Sequence, residues 1–115
     1  MSFQKKLLLP NGNSIKVINI ELIKYIEADG NYSRINMIDN KSSIVVSQSL
    51  KQVESLLLHD RFSRCSKSII INLDMVDSIK KGKSRIIVFK DLSMVELSLR
   101  GKIRLLQQLK DYFES

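Results

Sequence analysis

Phe62-Ser63-Arg64-Cys65-Ser66-Lys67-Ser68-Ile69-Ile70-Ile71-Asn72-Leu73 sets two cations, separated by small polar residues, directly ahead of an aliphatic run that reads as a buried strand. Cations that lead straight into a buried strand are anchored. A stiff framework that aims short basic side chains outward suits a phosphate backbone and the edges of guanine.

Outward from this stretch, short strands alternate with turn residues. Asn11-Gly12 lies between apolar stretches at 6–9 and 14–20, and Asn-Gly marks a two-residue hairpin because both positions tolerate positive φ. Residues 22–26 read as a strand, 27–31 as a turn, and 32–38 as a strand in which Tyr32, Arg34 and Asn36 alternate with Ile35 and Met37. Asp39-Asn40-Lys41 should turn the chain into a strand at 43–47. Ser49-Leu50-Lys51-Gln52 fits a capping box, and Leu50, Val53, Leu56 and Leu57 share a face, which predicts a short helix over about 50–58. Further strands fall near 62–65, 68–71, 76–79, 85–90 and 94–99. Arg100-Gly101 breaks the alternation, and from Lys102 onward Ile103, Leu106, Leu109 and Phe113 recur at helical spacing. The expected fold is mainly β, a small sandwich or barrel-like arrangement with one short inserted helix and a C-terminal helix.

A chain of 115 residues with 43% apolar and 27% charged composition has enough material for one packed core, so 1–115 reads as a single domain rather than a disordered segment. No internal repeat stands out. Its longest apolar runs, such as Leu7-Leu8-Leu9, fall far below the roughly 20 residues that span a bilayer, and the N-terminus lacks the apolar core of a secretory signal. No membrane partner and a cytoplasmic location are the expectation. Cys65 has no second cysteine to pair with, and one cysteine with one histidine cannot build a structural zinc site, so neither disulfide nor metal is expected. No glycine-rich phosphate loop or G-x-S-x-G elbow is present, which leaves little basis for an enzyme or a cofactor.

The net charge of +7 is concentrated. Arg61, Arg64, Lys67, Lys80, Lys81, Lys83, Arg85, Lys90, Arg100, Lys102 and Arg104 face only Asp74, Asp77, Asp91 and Glu96 within residues 61–104, so that block alone carries the whole excess. Clustered cations attract polyanions, whereas interspersed charges are mostly screened beyond about one Debye length. Nucleic acid is the obvious polyanion. No helix-turn-helix pattern is visible, so any DNA reading must come from loops and strand ends.

Several short matches in order give the chain its resemblance to the LytTR (LytR/AgrA-type) DNA-binding domain family, from about Ile23 to Leu109. Tyr25-Ile26-Glu27-Ala28-Asp29-Gly30-Asn31-Tyr32 is similar to that family's Ile-Glu-Ala-x-Gly-Asn-Tyr stretch. Ser49-Leu50-Lys51-Gln52-Val53-Glu54 is similar to its helix start, the 62–73 stretch to its Phe-x-Arg-x-His-Arg-Ser-x-x-Val-Asn-Leu signature, and Ser98-Leu99-Arg100 to the turn before its last helix. The resemblance implies an elongated β-fold whose loops enter the major groove, and a transcription regulator output domain. It implies DNA contacts from Asn31, Ser33 and Arg34, from Ser66 and Lys67, and from Arg100. Serine at 66 removes the imidazole often found there, and lysine at 67 replaces a planar fork by a point charge, which puts base preference at this turn in doubt. The family also implies paired repeat sites bound by two copies, and a phosphorylatable receiver domain or histidine-kinase pathway upstream. No receiver domain lies in this sequence, so the chain is a fragment or a stand-alone regulator.

Plainer readings stand beside these. Basic residues tune solubility, and a basic face also docks acidic proteins, which makes a protein-interaction module the alternative function. Lysines at the hairpin tip Lys80-Lys81-Gly82-Lys83 are ordinarily solvated. Alternation turns Cys65 away from Arg64 and Ser66, so it reads as an inert core thiol, and Asn72 reads as a structural residue satisfying backbone groups at a turn.

Overall fold

The computed structural model describes residues 4–38 and 42–114, and the turn expected at Asp39-Asn40-Lys41 lies outside them. Among the described residues the order is β1 (Lys6–Asn11), β2 (Ser14–Asn19), β3 (Ile23–Asp29), β4 (Tyr32–Met37), β5 (Ser43–Val46) and α1 (Leu50–Leu56). Then come β6 (Phe62–Ser66), β7 (Ile69–Asn72), β8 (Val76–Ile79), β9 (Ile86–Phe89), β10 (Met94–Glu96) and α2 (Leu99–Glu114). The fold is mainly β, as its alternation predicts.

An antiparallel five-stranded sheet in the order β5-β4-β3-β7-β6 forms the centre. Its two faces are both covered. On one, Ile26, Ile35 and Ile70 pack with Leu7, Leu9 and Ile18 of the β1–β2 hairpin and with Leu50 and Val53 of α1. On the other, Ile69 and Ile71 pack with Ile87 and Phe89 of the β10-β9-β8 sheet and with Leu105 of α2. A strand buried on both sides has no polar face, which is why Ile69-Ile70-Ile71 is continuous rather than alternating. Two cores back to back across one sheet give an elongated molecule of 46 × 31 × 24 Å.

Turn chemistry sets the hairpins. Asn11 pairs with Ser14, so the β1–β2 turn is Gly12-Asn13, one residue later than the Asn-Gly reading, with Gly12 at φ 62°. The β3–β4 turn repeats it with Gly30-Asn31 and Gly30 at φ 62°. Two-residue loops that place glycine first suit the twist of paired strands.

A repeat escapes the sequence reading and is evident in three dimensions. Ile18-Asn19-Ile20-Glu21-Leu22-Ile23 and Ile71-Asn72-Leu73-Asp74-Met75-Val76 each form strand, 3₁₀ turn and strand. In both, the asparagine Oδ1 accepts the amide of the residue two positions on, at 3.2 Å for Asn19 to Glu21 and 3.1 Å for Asn72 to Asp74. Asn72 also donates its amide to the Ile23 carbonyl at 2.7 Å while fully buried, which locks the second turn against the end of the first.

Elsewhere Tyr25 stacks on Phe89 with ring centres 5.3 Å apart. Lys24 beside it forms a 3.1 Å ion pair with Asp91, both side chains nearly buried, which ties β3 to the β9–β10 turn. The capping box on α1 is present in both directions, Gln52 N–H to Ser49 Oγ and Ser49 N–H to Gln52 Oε1, and the helix ends at Leu56 rather than 58. Helix α2 starts at Leu99, three residues before the Lys102 expected from periodicity. Ser98 is the reason: its hydroxyl accepts the Gly101 amide at 3.0 Å and its carbonyl the Lys102 amide at 2.9 Å, the bonds of an N-cap.

The two asparagine turns differ in a measurable way. Asn72→Ala leaves the buried Ile23 carbonyl and the Asp74 amide without partners and should cost about 2–4 kcal/mol in urea unfolding. Asn19→Ala removes a single exposed capping bond and should cost about 1 kcal/mol.

Candidate nucleic-acid interface

Strand register decides which turns meet. Glu27 of β3 pairs with Ile69 of β7, and the Ala28 amide donates to the Ser68 carbonyl at 2.8 Å, so the 30–31 and 67–68 turns lie at the same end of the central sheet. The start of α2 joins them because Gly101 sits tightly there: a side chain at 101 would stand 3.5 Å from the Cys65 carbonyl and 3.2 Å from the Ser98 hydroxyl. A Cβ there would meet the β6 carbonyl at ordinary contact distance and would crowd only the Ser98 hydroxyl that caps the helix.

The turn after β6 is held from inside by Arg64. Its guanidinium donates to the carbonyl of Ser66 at 2.7 Å, to that of Lys67 at 3.0 Å, and to the Glu54 carboxylate of α1 at 2.7 Å. Ser66 completes the turn, its hydroxyl accepting the Ser68 amide at 3.1 Å. Lys67 projects from this turn, exposed. Across from it Arg100 is exposed in the first turn of α2, and Arg104 follows one turn later. Neither Lys67, Arg100 nor Arg104 has a carboxylate within ion-pair distance among the described residues. Arg64, Ser66, Lys67, Ser98, Arg100 and Arg104 line one open groove, and no acidic side chain lines it.

The structure thus brings Ser66, Lys67 and Arg100 together. Asn31 and Arg34 do not line that groove: they lie on the β3–β4 hairpin, which adjoins the β6–β7 hairpin through β3 and β7, and between Lys67 and β3 is a depression to which Glu27 and Glu96 contribute. Asn31 is exposed at the turn, and Arg34 forms a 2.7 Å ion pair with Asp29, both side chains about half exposed. Such a pair contributes little and opens easily. Ser33 requires correction: it is fully buried and donates its hydroxyl to the Gln48 carbonyl at 2.8 Å, so it has no surface with which to touch a ligand. Its alternation with Tyr32 and Arg34 and its common face with Ile35 and Met37 already place it inward. Arg104 is the residue that sequence reasoning missed, because a helix begun at Lys102 excludes Arg100 and hides their i, i+4 relation.

Fold and groove together define a small β-scaffold that presents basic turns and a helix start at one end, around a groove that no acidic side chain among the described residues lines. The LytTr DNA-binding domain model matches residues 13–110, and the chain belongs to that family. Among solved structures, the LytTr DNA-binding domain of a methyl-accepting/DNA response regulator from Bacillus cereus is similar in fold, with a TM-score of 0.69 and 19% identity. That likeness covers 92% of this chain and 96% of the other. No curated protein matches the chain. The family is one of DNA-binding domains of response-regulator type rather than a catalytic one. No helix among the described residues is long and apolar enough to cross a membrane.

Cys65 also lines the groove but is almost wholly buried, with its thiol 3.6 Å from the Ser63 carbonyl. Burial raises its pKa above the ordinary thiol value, outweighing the Ser63 hydrogen bond and the Arg104 charge that lower it. As pH rises the unfolded thiol ionises first, so the folded state binds the proton longer and loses stability from the ordinary thiol pKa up to the native one. Alkylation of Cys65 in the native protein at pH 8 should be slow and should accelerate with urea. The alkaline loss of stability should shrink in Cys65→Ala.

Proposed function

We propose that this domain binds duplex DNA in a sequence-specific manner as the output domain of a transcription regulator, with its turns entering the major groove. The observation that carries the reading is the groove in which Lys67, Arg100 and Arg104 stand, among the described residues, without carboxylate partners on a framework stiffened by Arg64. Phosphate contacts from Lys67 and Arg104 fix register, and Arg100 reads a base edge, the geometry that a bidentate guanidinium gives on guanine. Arg34 and Asn31 extend the contact to a neighbouring stretch of the duplex after the exposed Asp29 pair opens. Ser66 acts through the turn it builds. Two copies on paired repeat sites, and control through a receiver domain or histidine-kinase pathway, accord with the family. The whole of 1–115 acts as one domain in the cytoplasm, without a cofactor.

Titration of mixed-sequence duplex at rising salt tests the electrostatic part: log K should fall linearly with log salt, by about 0.9 per neutralised phosphate. Duplexes selected from a random pool test the rest. Arg100→Ala should weaken the selected duplex by about 1–3 kcal/mol more than mixed sequence, whereas Lys67→Ala should weaken both alike and lower the salt slope by about one contact. Absence of binding at low salt would turn the reading toward an acidic protein partner.

A further inference from the structure

The loop between β8 and β9 carries Lys80, Lys81 and Lys83 around Gly82, and the ordinary reading of such a tip is a solvated surface. Its backbone does not fit that reading. Lys102, on the inward side of α2 and only 7% exposed, donates its ammonium to the carbonyls of Lys80 at 2.8 Å, Gly82 at 3.0 Å and Ser84 at 2.5 Å. All three ammonium hydrogens are engaged by the one loop. Burying a lysine is costly unless dipoles replace its water, and here three carbonyls drawn inward do so. The Lys80 amide donates to the Ile86 carbonyl at 3.1 Å and pins the base of the loop.

The same geometry orders the exterior. With the carbonyls turned toward Lys102, Lys80, Lys81 and Lys83 are all exposed, and none has a carboxylate within ion-pair distance among the described residues. A fourth cation underneath adds to their field. A hairpin tip needed only for solubility gains nothing from a fixed backbone, whereas an anion-binding arm gains by losing less freedom on binding. Position links the loop to the groove. Lys80, Lys81 and Gly82 line a second groove with Leu99 and Ile103, and Ile103 also lines the groove of Lys67 and Arg100, so the loop flanks the opposite side of the same helix start.

We infer that the Lys80–Lys83 loop is a second phosphate-binding arm, held in place by Lys102, that grips the backbone of the duplex lying across the start of α2. The inference rests on the DNA-binding reading above and adds a contact site to it. Lys102 is a positioning residue in this account, and Lys81 and Lys83 are the contacts.

The test measures salt-dependent affinity for the selected and mixed-sequence duplexes with four proteins: wild type, Lys81→Ala/Lys83→Ala, Lys102→Met and Arg100→Ala. The double variant alters exposed side chains alone and should keep wild-type circular dichroism and thermal unfolding. It should lose affinity equally on both duplexes, about eightfold per lost contact at 0.1 M salt, with a slope shallower by up to about two contacts. Lys102→Met should shift in the same direction with its loop lysines intact, read on protein verified as folded. Unchanged affinity and slope in the double variant, while Arg100→Ala still loses preference for the selected duplex, would overturn the arm and leave the groove reading standing. A wild-type protein that binds no duplex at low salt would sink both.

Discussion

Burial of β7 on both faces is the constraint from which the rest of the molecule follows. Ile70 enters one core and Ile69 and Ile71 the other, and each fully buried aliphatic side chain contributes about 1.5–3 kcal/mol. A one-residue slip would exchange the two sets and leave both cores mispacked, so the register of β3, β7 and β6 is strongly specified. That register fixes where the basic turn falls. Lys67 stands where it does because Ile69 opposes Glu27 and the Ser68 carbonyl meets the Ala28 amide.

Net charge overstates the number of cations available to a ligand. Lys24 is paired with Asp91, Arg64 is held by Glu54 and two carbonyls, Lys102 is buried against three carbonyls, and Arg85 pairs with Glu96 at 3.1 Å. Two of these are framework rather than surface: Arg64 shapes the 66–67 turn, and Lys102 shapes the 80–84 loop. A basic block in sequence therefore divides into cations that hold loops and cations that the loops present. Burial separates the two kinds.

Much of this was legible beforehand. Period-two patterns located most strands within two residues because successive side chains point to opposite faces, and the serine-glutamine box located α1 because its bonds are local. The rest was not. Arg100-Gly101 reads as a helix boundary since glycine is a poor helix former, yet the Ser98 cap makes it the first turn of α2. The carbonyl cage of Lys102 involves residues about twenty positions away and leaves no trace in spacing. Ser33 is the opposite case, where alternation pointed inward and a motif resemblance pulled the reading outward. The Asn19 and Asn72 turns matched only in six residues of loosely similar type, too little for a repeat to register without coordinates.

Acidic residues temper this surface. Glu27 and Glu96 line the depression beside Lys67, which Arg104 does not line, and Glu96 is itself paired with Arg85. Carboxylates beside a cation weaken its attraction for a polyanion, Glu27 more than Glu96, whose charge Arg85 already balances. Asp29 plays a milder part. Its bond to Arg34 is half exposed and contributes no more than about 1 kcal/mol. Carboxylates on this face thus offset part of the attraction that its cations exert on any polyanion.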